Sequence, residues 1–395
     1  MKFSVLLPTR NRLEYLRYAV ESVRRQDYDN WEIIVSDNYS EDDIRGFVEA
    51  LGDDRVRYVR TSSFVPVTDN WNNALNQSDG DYVVMLGDDD GLLPGYFSTL
   101  LKSFERYPDP DFVYVSALFY AYPGVMPDEP DGFLKQDRNA FFVEDAPAWL
   151  DKERAIAIAQ GYLDFRMPVA SNMQFSLISR RKIEELSVNG QFFHSPYPDF
   201  YATPMLFMAS ERILIHPEPL VVIGITPKSY GFFHFNNQVD DGVKFLNNSG
   251  QLESHEKAHS VMLPGTSYND SWLLANYALD KNHAKVRGLK SRMANYRRLQ
   301  IVHGFKHRYF DRTINRSTFA ALTSRMTMFE KLKYMPALAT GFALLRIFPS
   351  DWREAIVSRL RRVIGQHAIS SDAKPSKGMT NLIDVYESIA KGVVA

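Results

Sequence analysis

A run of three aspartates directly after a short apolar segment constrains this sequence more than any other feature. Residues 82–86 are uninterruptedly apolar, which predicts a strand buried on both faces of a sheet. Asp88, Asp89 and Asp90 follow, and adjacent carboxylates repel one another unless solvent or a divalent cation neutralises them. The triplet is therefore either a solvated turn or a site where Mg²⁺ or Mn²⁺ bridges to substrate phosphates. The buried strand favours the site, because ligands of open α/β sheets bind at the carboxyl ends of strands.

Apolar runs of strand length alternate with segments of helical periodicity through the first 115 residues. This alternation predicts an α/β fold in which helices cover both faces of a mostly parallel central sheet. Strands are predicted at residues 3–7, 32–35, 56–59, 82–86, 112–115, 173–178, 212–216 and 220–225. In the second half, helices are predicted at 155–162, 199–209, 272–279, 286–302, 326–348, 352–364 and 382–390, with a long loop at 120–148 and a linker at 370–378.

Charge is distributed unevenly along the chain, although the formal net charge of its 395 residues is only −2. Residues 1–280 carry 24 basic and 41 acidic side chains, whereas residues 281–362 carry 19 basic and 4 acidic ones. With the helical pattern beyond residue 250, this predicts an α/β domain at 1–250, with halves at 1–115 and 116–250, and a helical, basic C-terminal region at 251–395. There is no cysteine, which excludes disulfides and thiolate metal sites.

Polar side chains stand at the ends of several predicted strands, including Thr9, Asp37 and the acid triplet. Neither a Gly-x-Gly-x-x-Gly motif nor a Walker loop is present, so a nucleotide bound here would be held by side chains and a metal. Asp37 either caps the following helix or accepts a hydrogen bond from a base imide N–H, which favours uracil.

The N-terminal part resembles the family 2 glycosyltransferases of the GT-A fold. The matching motifs are VLLPTRNR at 5–12, IVSDNYSED at 34–42, NWNNAL at 70–75, GDYV at 80–83 and LGDDD at 86–90, followed by Pro94. They occur in the family's order and spacing over roughly the first 115 residues. The resemblance implies an inverting enzyme that uses a nucleotide-diphospho-sugar and Mn²⁺ or Mg²⁺.

The resemblance also assigns roles to individual residues. Counted back from Pro94, the family's metal-binding Asp falls on Asp89, with Asp88 beside the ribose and Asp90 as a further candidate metal ligand. The family often has an acid where Gly87 stands, which leaves open which of the three acids binds the metal; it also often has an Arg near Trp71, which this chain lacks. The residues expected to bind the nucleotide-sugar in this part are Pro8, Thr9, Arg10, Asn11, Asp37, Asn72 and Asp88.

The second half is expected to carry the catalytic base. Asp199 stands just before a predicted helix, where members of the family keep their catalytic Asp or Glu. The alternatives are that Asp199 only caps that helix, or that His194 is the base. The Gly- and Pro-containing loop after residue 225 supplies Lys228 as a candidate phosphate-binding cation and His234 as a candidate metal ligand.

The basic C-terminal region has two interpretations. Its helices either cap the acidic body with solvated charges or meet an anionic lipid surface and hold the protein near a lipid-linked acceptor. We expect no nucleic-acid partner, because no nucleic-acid-binding motif accompanies the charge.

The sequence therefore predicts a metal-dependent, inverting glycosyltransferase that moves a sugar, with UDP-sugars favoured, to a glycan or lipid-linked glycan in cell-surface polysaccharide synthesis. The alternatives are a catalytically inactive GT-A-like binding or scaffold protein and a nucleotidyltransferase, whose Gly-rich first loop is absent here. Residues 1–10 lack the apolar core of a signal peptide, and the apolar stretch at 334–345 is shorter than a spanning helix of ~20 residues. The expected location is cytoplasmic, peripheral at the inner face of the cell membrane.

Overall fold

The computed structural model describes residues 1–125, 129–136, 146–229, 232–233, 242, 246–247, 260–283, 289, 291–310, 312–349, 352, 374–376 and 378–393. The strands are β1 (Phe3–Thr9), β2 (Trp31–Asp37), β3 (Val56–Arg60), β4 (Tyr82–Met85), β5 (Gly91–Leu92), β6 (Phe112–Ala121), β7 (Phe133–Gln136), β8 (Ala148–Trp149), β9 (Ser176–Ser179), β10 (Ile213–Ile225) and β11 (Lys374–Pro375). His234 and, apart from Trp352, the helix predicted at 352–364 lie outside the described residues.

The helices are α1 (Leu13–Arg24), α2 (Ile44–Ala50), α3 (Val67–Asn76), α4 (Tyr96–Arg106), α5 (Lys152–Leu163), α6 (Arg180–Leu186), α7 (Pro198–Ala209), α8 (Ser267–His283), α9 (Met293–Tyr309), α10 (Arg316–Arg325), α11 (Met328–Leu345) and α12 (Leu382–Ala390), with a 3₁₀ turn at Met173–Phe175. The sequence did not predict the short helices α6 and α10. Each begins at a side-chain cap: Ser179 accepts from the backbone N–H of Lys182, and Asn315 accepts from that of Thr318.

Four parallel strands form one half of the sheet, in the order β3–β2–β1–β4. β9 lies antiparallel between β4 and β6, and β10 runs parallel to β6 along its whole length. Every residue of β2 is buried, as expected for a strand covered on both faces. The predicted fold class, an α/β fold with a mostly parallel central sheet and a helical C-terminal region, is confirmed.

Strand β1 extends through Thr9, two residues beyond its predicted end, although it contains a proline. Pairing of β1 with β4 ends where Leu86 N donates to the carbonyl oxygen of Leu6 at 2.8 Å. Backbone groups alternate sides along a strand, so the nitrogen of Pro8 faces the same side as Leu6 but lies beyond this last bond. Pro8 therefore removes no bond from the sheet, and the strand carries Thr9 to the sheet edge.

Two predictions for the second half of the sheet were wrong in detail. The strand predicted at 173–178 begins as the 3₁₀ turn, and only β9 is extended. The strands predicted at 212–216 and 220–225 are one strand, β10, whose register against β6 shifts on both sides of Pro219. The sheet thus accommodates Pro219 at an irregularity instead of ending there.

The helices after residue 260 form two apolar clusters. α8 packs on α5 and α7, where the ring of Trp272 stacks on Phe200 with centroids 4.6 Å apart and its Nε1 donates to the carbonyl oxygen of Tyr162 at 3.1 Å. α9, α10 and α11 surround a separate cluster that includes Phe305 and Leu322. The packing around Trp272 fixes the C-terminal helices to the α/β domain.

The last helix, α12, has the bounds that the sequence predicted, but it packs against α1 in the N-terminal half. Leu382 and Val385 are fully buried there, and Tyr386 Oη donates to the carbonyl oxygen of Arg25 at 2.8 Å. Just before α12, β11 adds to the edge of the sheet beside β7. The end of the chain thus returns to the α/β domain.

Candidate active site

Four strand ends meet at one edge of the sheet. Thr9 ends β1, Asp37 ends β2, the acid triplet Asp88–Asp90 follows β4, and Thr226 follows β10. Hydrogen bonds connect Thr9 to Asp88 and Thr226 to Asp89. The structure therefore brings together the strand-end residues that the sequence predicted as a site.

Asp88 and Asp89 share one cation, the buried guanidinium of Arg12. Arg12 Nη1 donates to Asp88 Oδ1 at 2.5 Å, and Nη2 forms an ion pair with Asp89. Thr9 Oγ1 donates to Asp88 Oδ2 at 2.7 Å, and Thr226 Oγ1 donates to Asp89 Oδ2 at 3.1 Å. In the sequence, Arg12 is recognisable only as part of a motif, and this role was not predicted. The signal that points to it is the need of adjacent buried carboxylates for a cation.

Asp90 is held by a different set of donors. Its Oδ1 accepts from Gly224 N at 2.8 Å, and its Oδ2 accepts from Gln174 Nε2 at 2.5 Å and from Gly87 N at 3.1 Å. A Cβ atom on Gly224 would lie 1.9 Å from the carbonyl oxygen of Asp89, so only glycine lets β10 approach the triplet this closely.

Three buried carboxylates thus face one buried guanidinium. Burial raises the pKa of Asp88 to about 6, although the charge of Arg12 opposes this shift. Burial, followed by the charge of Asp89, raises the pKa of Asp90 well above its usual range. Burial acts to lower the pKa of Arg12, but the charges of Asp88 and Asp89 outweigh it and raise that pKa. When all three acids are ionised, the triplet carries more negative charge than Arg12 neutralises. An additional cation would stabilise the ionised carboxylates.

A metal at this triplet would need further ligands from a substrate. Within the described ranges, no group of three or more His, Cys, Asp or Glu side chains is placed to hold a metal ion. Mg²⁺ sites that act on phosphates use one or two carboxylates and take further ligands from the phosphate oxygens, and Mn²⁺ prefers similar oxygen ligands. The assignment of Asp89 and Asp90 as metal ligands therefore remains a prediction.

Asp37 is fully buried and its carboxylate is fixed in orientation. Its Oδ1 accepts from Ser40 N at 2.8 Å, and its Oδ2 accepts from Tyr58 Oη at 2.8 Å. Arg60 Nη1 lies 3.5 Å from the same Oδ2. The alternative that Asp37 caps the following helix is wrong, because α2 begins at Ile44 and Asp43 caps it. The bond from Ser40 N closes only a local turn, and the contacts with β3 fix the carboxylate at the sheet edge.

Arg10, Asn11 and Lys228 lie around the loop between β1 and α1. The guanidinium of Arg10 lies 3.7 Å from the ring centroid of Phe64. Asn11 adopts a positive φ of 53°, and its Oδ1 accepts from Glu41 N at 2.7 Å. Lys228 Nζ donates to the carbonyl oxygen of Asn11 at 3.4 Å and forms an ion pair with Glu14 at 3.0 Å, which places its cation beside this loop.

Asn72, which the sequence assigned to nucleotide binding, is used to hold the chain instead. Its Oδ1 accepts from the backbone N–H groups of Phe192 and Phe193, and its Nδ2 donates to the carbonyl oxygens of Thr68 and Phe193. The amide thereby ties the segment before α7 to α3, and these bonds occupy both its donor and its acceptor atoms.

Asp199 lies in the first turn of α7, with its Oδ1 accepting from Met173 N at 2.9 Å. A helix N-terminus favours the ionised form of a carboxylate. Burial outweighs this effect and raises the pKa of Asp199 to about 7. His194, the other candidate base, is bonded through Nε2 to the carbonyl oxygen of Gln191 at 3.0 Å, and burial lowers its pKa.

The 3₁₀ turn Met173–Phe175 connects Asp199 with the acid triplet. Met173 N donates to Asp199, and Gln174 Nε2 donates to Asp90. The two carboxylates are therefore held by consecutive residues of one turn. The sequence could not show this link, because it assigned the turn to a strand.

The site thus combines buried acids at the ends of parallel strands with a second carboxylate of raised pKa, Asp199, which the same 3₁₀ turn holds. Residues 4–138 match the sequence model of the family described as "Glycosyl transferase family 2". This part of the chain therefore matches the family that its motifs predicted.

Curated relatives include glycosyltransferases named for lipid-linked glycans. The GalNAc(5)-diNAcBac-PP-undecaprenol beta-1,3-glucosyltransferase of Campylobacter jejuni is 33% identical over 196 residues, 49% of this chain and 56% of that protein. The putative colanic acid biosynthesis glycosyl transferase WcaA of Escherichia coli is 30% identical over 134 residues, 32% of this chain and 48% of WcaA. The chain thus spans about half the length of these relatives.

A shorter match is the UDP-Glc:alpha-D-GlcNAc-diphosphoundecaprenol beta-1,3-glucosyltransferase WfgD of Escherichia coli, 29% identical over 87 residues, 22% of this chain and 34% of WfgD. Among solved structures, residues 1–349 of Staphylococcus aureus TarS in complex with UDP-GlcNAc align over 97% of this chain and 99% of that chain, with 14% identity and a TM-score of 0.45.

Proposed function

We propose that this chain is an inverting glycosyltransferase that moves a sugar from a UDP-sugar to a lipid-linked glycan with the help of a divalent metal. The observation that carries the proposal is the pair of contacts from one turn, Gln174 to Asp90 and Met173 N to Asp199. An inverting transfer needs a charge-stabilising site for the departing diphosphate and a separate base for the acceptor hydroxyl. The names of the curated relatives support the acceptor class.

The donor would bind along the edge formed by β1, β2 and β4. Asp37 would accept the imide N–H of uracil, with an orientation already fixed by Tyr58 and Ser40 N. Asp88, held by Thr9, would lie beside the ribose. Lys228 and Arg10 would place positive charge near the diphosphate, since both border the loop after β1.

Asp89 is the proposed ligand of Mn²⁺ or Mg²⁺, with Asp88 and Asp90 as alternatives. When bound, the metal supplies a Lewis acid that neutralises negative charge on the departing diphosphate. Arg12 is bonded to the same carboxylate, so a cation at Asp89 would compete with the guanidinium for its oxygens. Donor phosphates that complete the metal ligands would favour the metal in this competition.

Asp199 is the proposed general base. Met173 N orients its carboxylate, and a pKa of about 7 lies close to neutral pH, where a general base works best. Asp199 would take the proton of the acceptor hydroxyl while the acceptor oxygen forms a bond to the anomeric carbon. The bond from that carbon to the diphosphate breaks on the opposite face, so the configuration is inverted.

The lipid-linked acceptor would place the protein at a membrane. We expect a role in cell-surface polysaccharide synthesis, on the cytoplasmic side, with the basic C-terminal region peripheral at the inner face. This part of the proposal depends on the relatives' names and on the charge of residues 281–362.

A thermal-shift panel of UDP-, GDP-, CDP- and dTDP-sugars, with and without Mn²⁺, tests the donor site, because a ligand that binds only the native state raises the melting temperature. We expect the largest rise with UDP-sugars and Mn²⁺. Equal rises with CDP- and UDP-sugars would contradict the role of Asp37. A nucleotide-sugar-binding protein without activity would show the shift but no transfer to a polyprenyl-diphosphate-linked glycan.

A further inference from the structure

One face of α11 and the residues after it expose an unusual amount of apolar side chain. Eleven large apolar side chains are exposed within the described residues, and seven of them lie between residues 328 and 352. The seven, which we call the apolar surface, are Met328, Phe329, Leu332, Leu344, Ile347, Phe348 and Trp352. Such a concentration of exposed apolar side chains on one part of a protein surface marks an interaction site.

The opposite face of α11 already has a partner within the chain. Phe342 and Leu345 are buried against α9 and α10, in the cluster that includes Ile301 and Phe305. The face with Phe329 and Leu332 remains 70–73% exposed. A helix that is apolar on both sides is expected to be covered on both sides, so the apolar surface calls for a second partner.

The charge around α11 indicates what this partner is. Residues 291–310 and 312–349 contain eleven Lys or Arg and a single acidic residue, Glu330. Glu330 forms an ion pair with Arg297 at 2.7 Å, which neutralises it. Lys333 and Arg346 are exposed near the two ends of the helix. A partner that is apolar inside and anionic at its surface fits both features, and an anionic lipid bilayer has this structure.

The geometry of the helix suits a position in the bilayer interface. Within the described ranges, no helix is long and apolar enough to cross a membrane. α11 has 18 residues, with exposed apolar side chains in its first two turns and around its C-terminal end. Such a helix can lie parallel to the membrane with one face among the acyl chains, while α9 and α10 hold the other face.

We propose that the apolar surface of α11 inserts into the interface of an anionic membrane, with Lys333 and Arg346 contacting lipid phosphates. The proposal deepens the proposed function and rests on it in one respect: a lipid-linked acceptor makes a membrane the useful partner. Contact through α11 would fix the orientation of the α/β domain toward the bilayer. α11 packs on α9 among the C-terminal helices, and α8 of the same region packs on α7, the helix that carries Asp199.

The test measures sedimentation of the full chain with vesicles of phosphatidylcholine alone or mixed with phosphatidylglycerol. We expect binding to the anionic vesicles that salt weakens. The double variant Phe329→Ser/Leu332→Ser should bind at least ~10-fold more weakly, because two large side chains lose their insertion. Val393→Ser, which changes a side chain that is also 73% exposed but lies outside the apolar surface, is the matched control and should bind like the wild type.

Lys333→Gln/Arg346→Gln should weaken binding to anionic vesicles by about tenfold or more and leave any binding to phosphatidylcholine unchanged. UDP-sugar affinity, measured without lipid, should stay the same in all variants, which separates this proposal from the donor site. Equal binding of wild type and Phe329→Ser/Leu332→Ser to anionic vesicles would overturn the proposal. So would a wild-type dimer in solution that this double variant abolishes, because a second copy would then cover the surface.

Discussion

Replacement of Asp199 by Asn should separate donor binding from chemistry. Asn cannot take a proton, but its side-chain oxygen can still accept from Met173 N, so the turn that connects Asp199 with the acid triplet should remain. We expect UDP-sugar affinity near that of the wild type and transfer slowed by ~10²–10⁴-fold, the usual contribution of a general base. The measurement is donor affinity by calorimetry beside turnover with a lipid-linked acceptor.

The same substitution should change stability in a pH-dependent way. The pKa of Asp199 is raised from 3.8 to about 7, so its contribution to stability is fully present below about pH 4 and is lost as the pH rises through 7. Each pKa unit corresponds to about 1.4 kcal/mol, and because the side chain keeps some contact with solvent we expect roughly 2–4 kcal/mol in total. Asp199→Asn should therefore be more stable than the wild type at pH 8 and similar to it near pH 4.

Urea unfolding at these two pH values measures the difference, with Glu184→Gln, an exposed acid on α6, as the control. A variant that transfers sugar at more than about a tenth of the wild-type rate would exclude Asp199 as the base, since a general base contributes at least ~10²-fold. The role would then pass to His194. A variant of unchanged stability at pH 8 would contradict the cost that we attribute to burying its charge.

Three further substitutions test the metal ligand, the contact with the base and the buried ion pair of the site. Asp89→Asn should abolish the Mn²⁺ dependence of nucleotide binding, measured by calorimetry with and without the metal; unchanged dependence would move the metal to Asp88 or Asp90. Asp37→Asn should weaken UDP binding by ~1–3 kcal/mol through loss of a charge-assisted bond, and a wild type that binds CDP as well as UDP would contradict the assignment. Arg12→Gln should lower the free energy of unfolding by ~3–5 kcal/mol in chemical denaturation, because it leaves Asp88 and Asp89 buried without their cation. A loss below ~1 kcal/mol, the usual worth of an exposed ion pair, would show that solvent reaches this pair.

The central strands and the acid triplet could be predicted because their signals are local. An apolar run followed by acids identifies β4 and the site after it from about ten neighbouring residues. The ends of parallel strands meet at one edge, so Thr9 and Asp37 could be assigned to the same site before their contacts were seen. The bounds of α12 were predicted for the same reason, from its local sequence, and in the structure Asn381 caps its first turn.

Contacts between distant residues could not be predicted from such patterns. Arg12 and Asp88 are 76 positions apart, and only the folded structure shows that the guanidinium bonds to two carboxylates. Asn72 looked like a donor contact in a motif, but its amide binds backbone 120 positions further on. The pKa of Asp199 depends on burial by the surrounding fold, an effect that a helix-end argument from sequence leaves out.

The anomeric configuration of the transferred sugar tests the proposed mechanism most directly. The measurement incubates the wild type with a UDP-sugar, Mn²⁺ and a polyprenyl-diphosphate-linked glycan, and NMR then gives the anomeric configuration of the product. We expect transfer with inversion at the anomeric carbon, because Asp199 would activate the acceptor on the face opposite the diphosphate. A product with retained configuration would contradict it, and so would a lack of transfer from every UDP-sugar that raises the melting temperature.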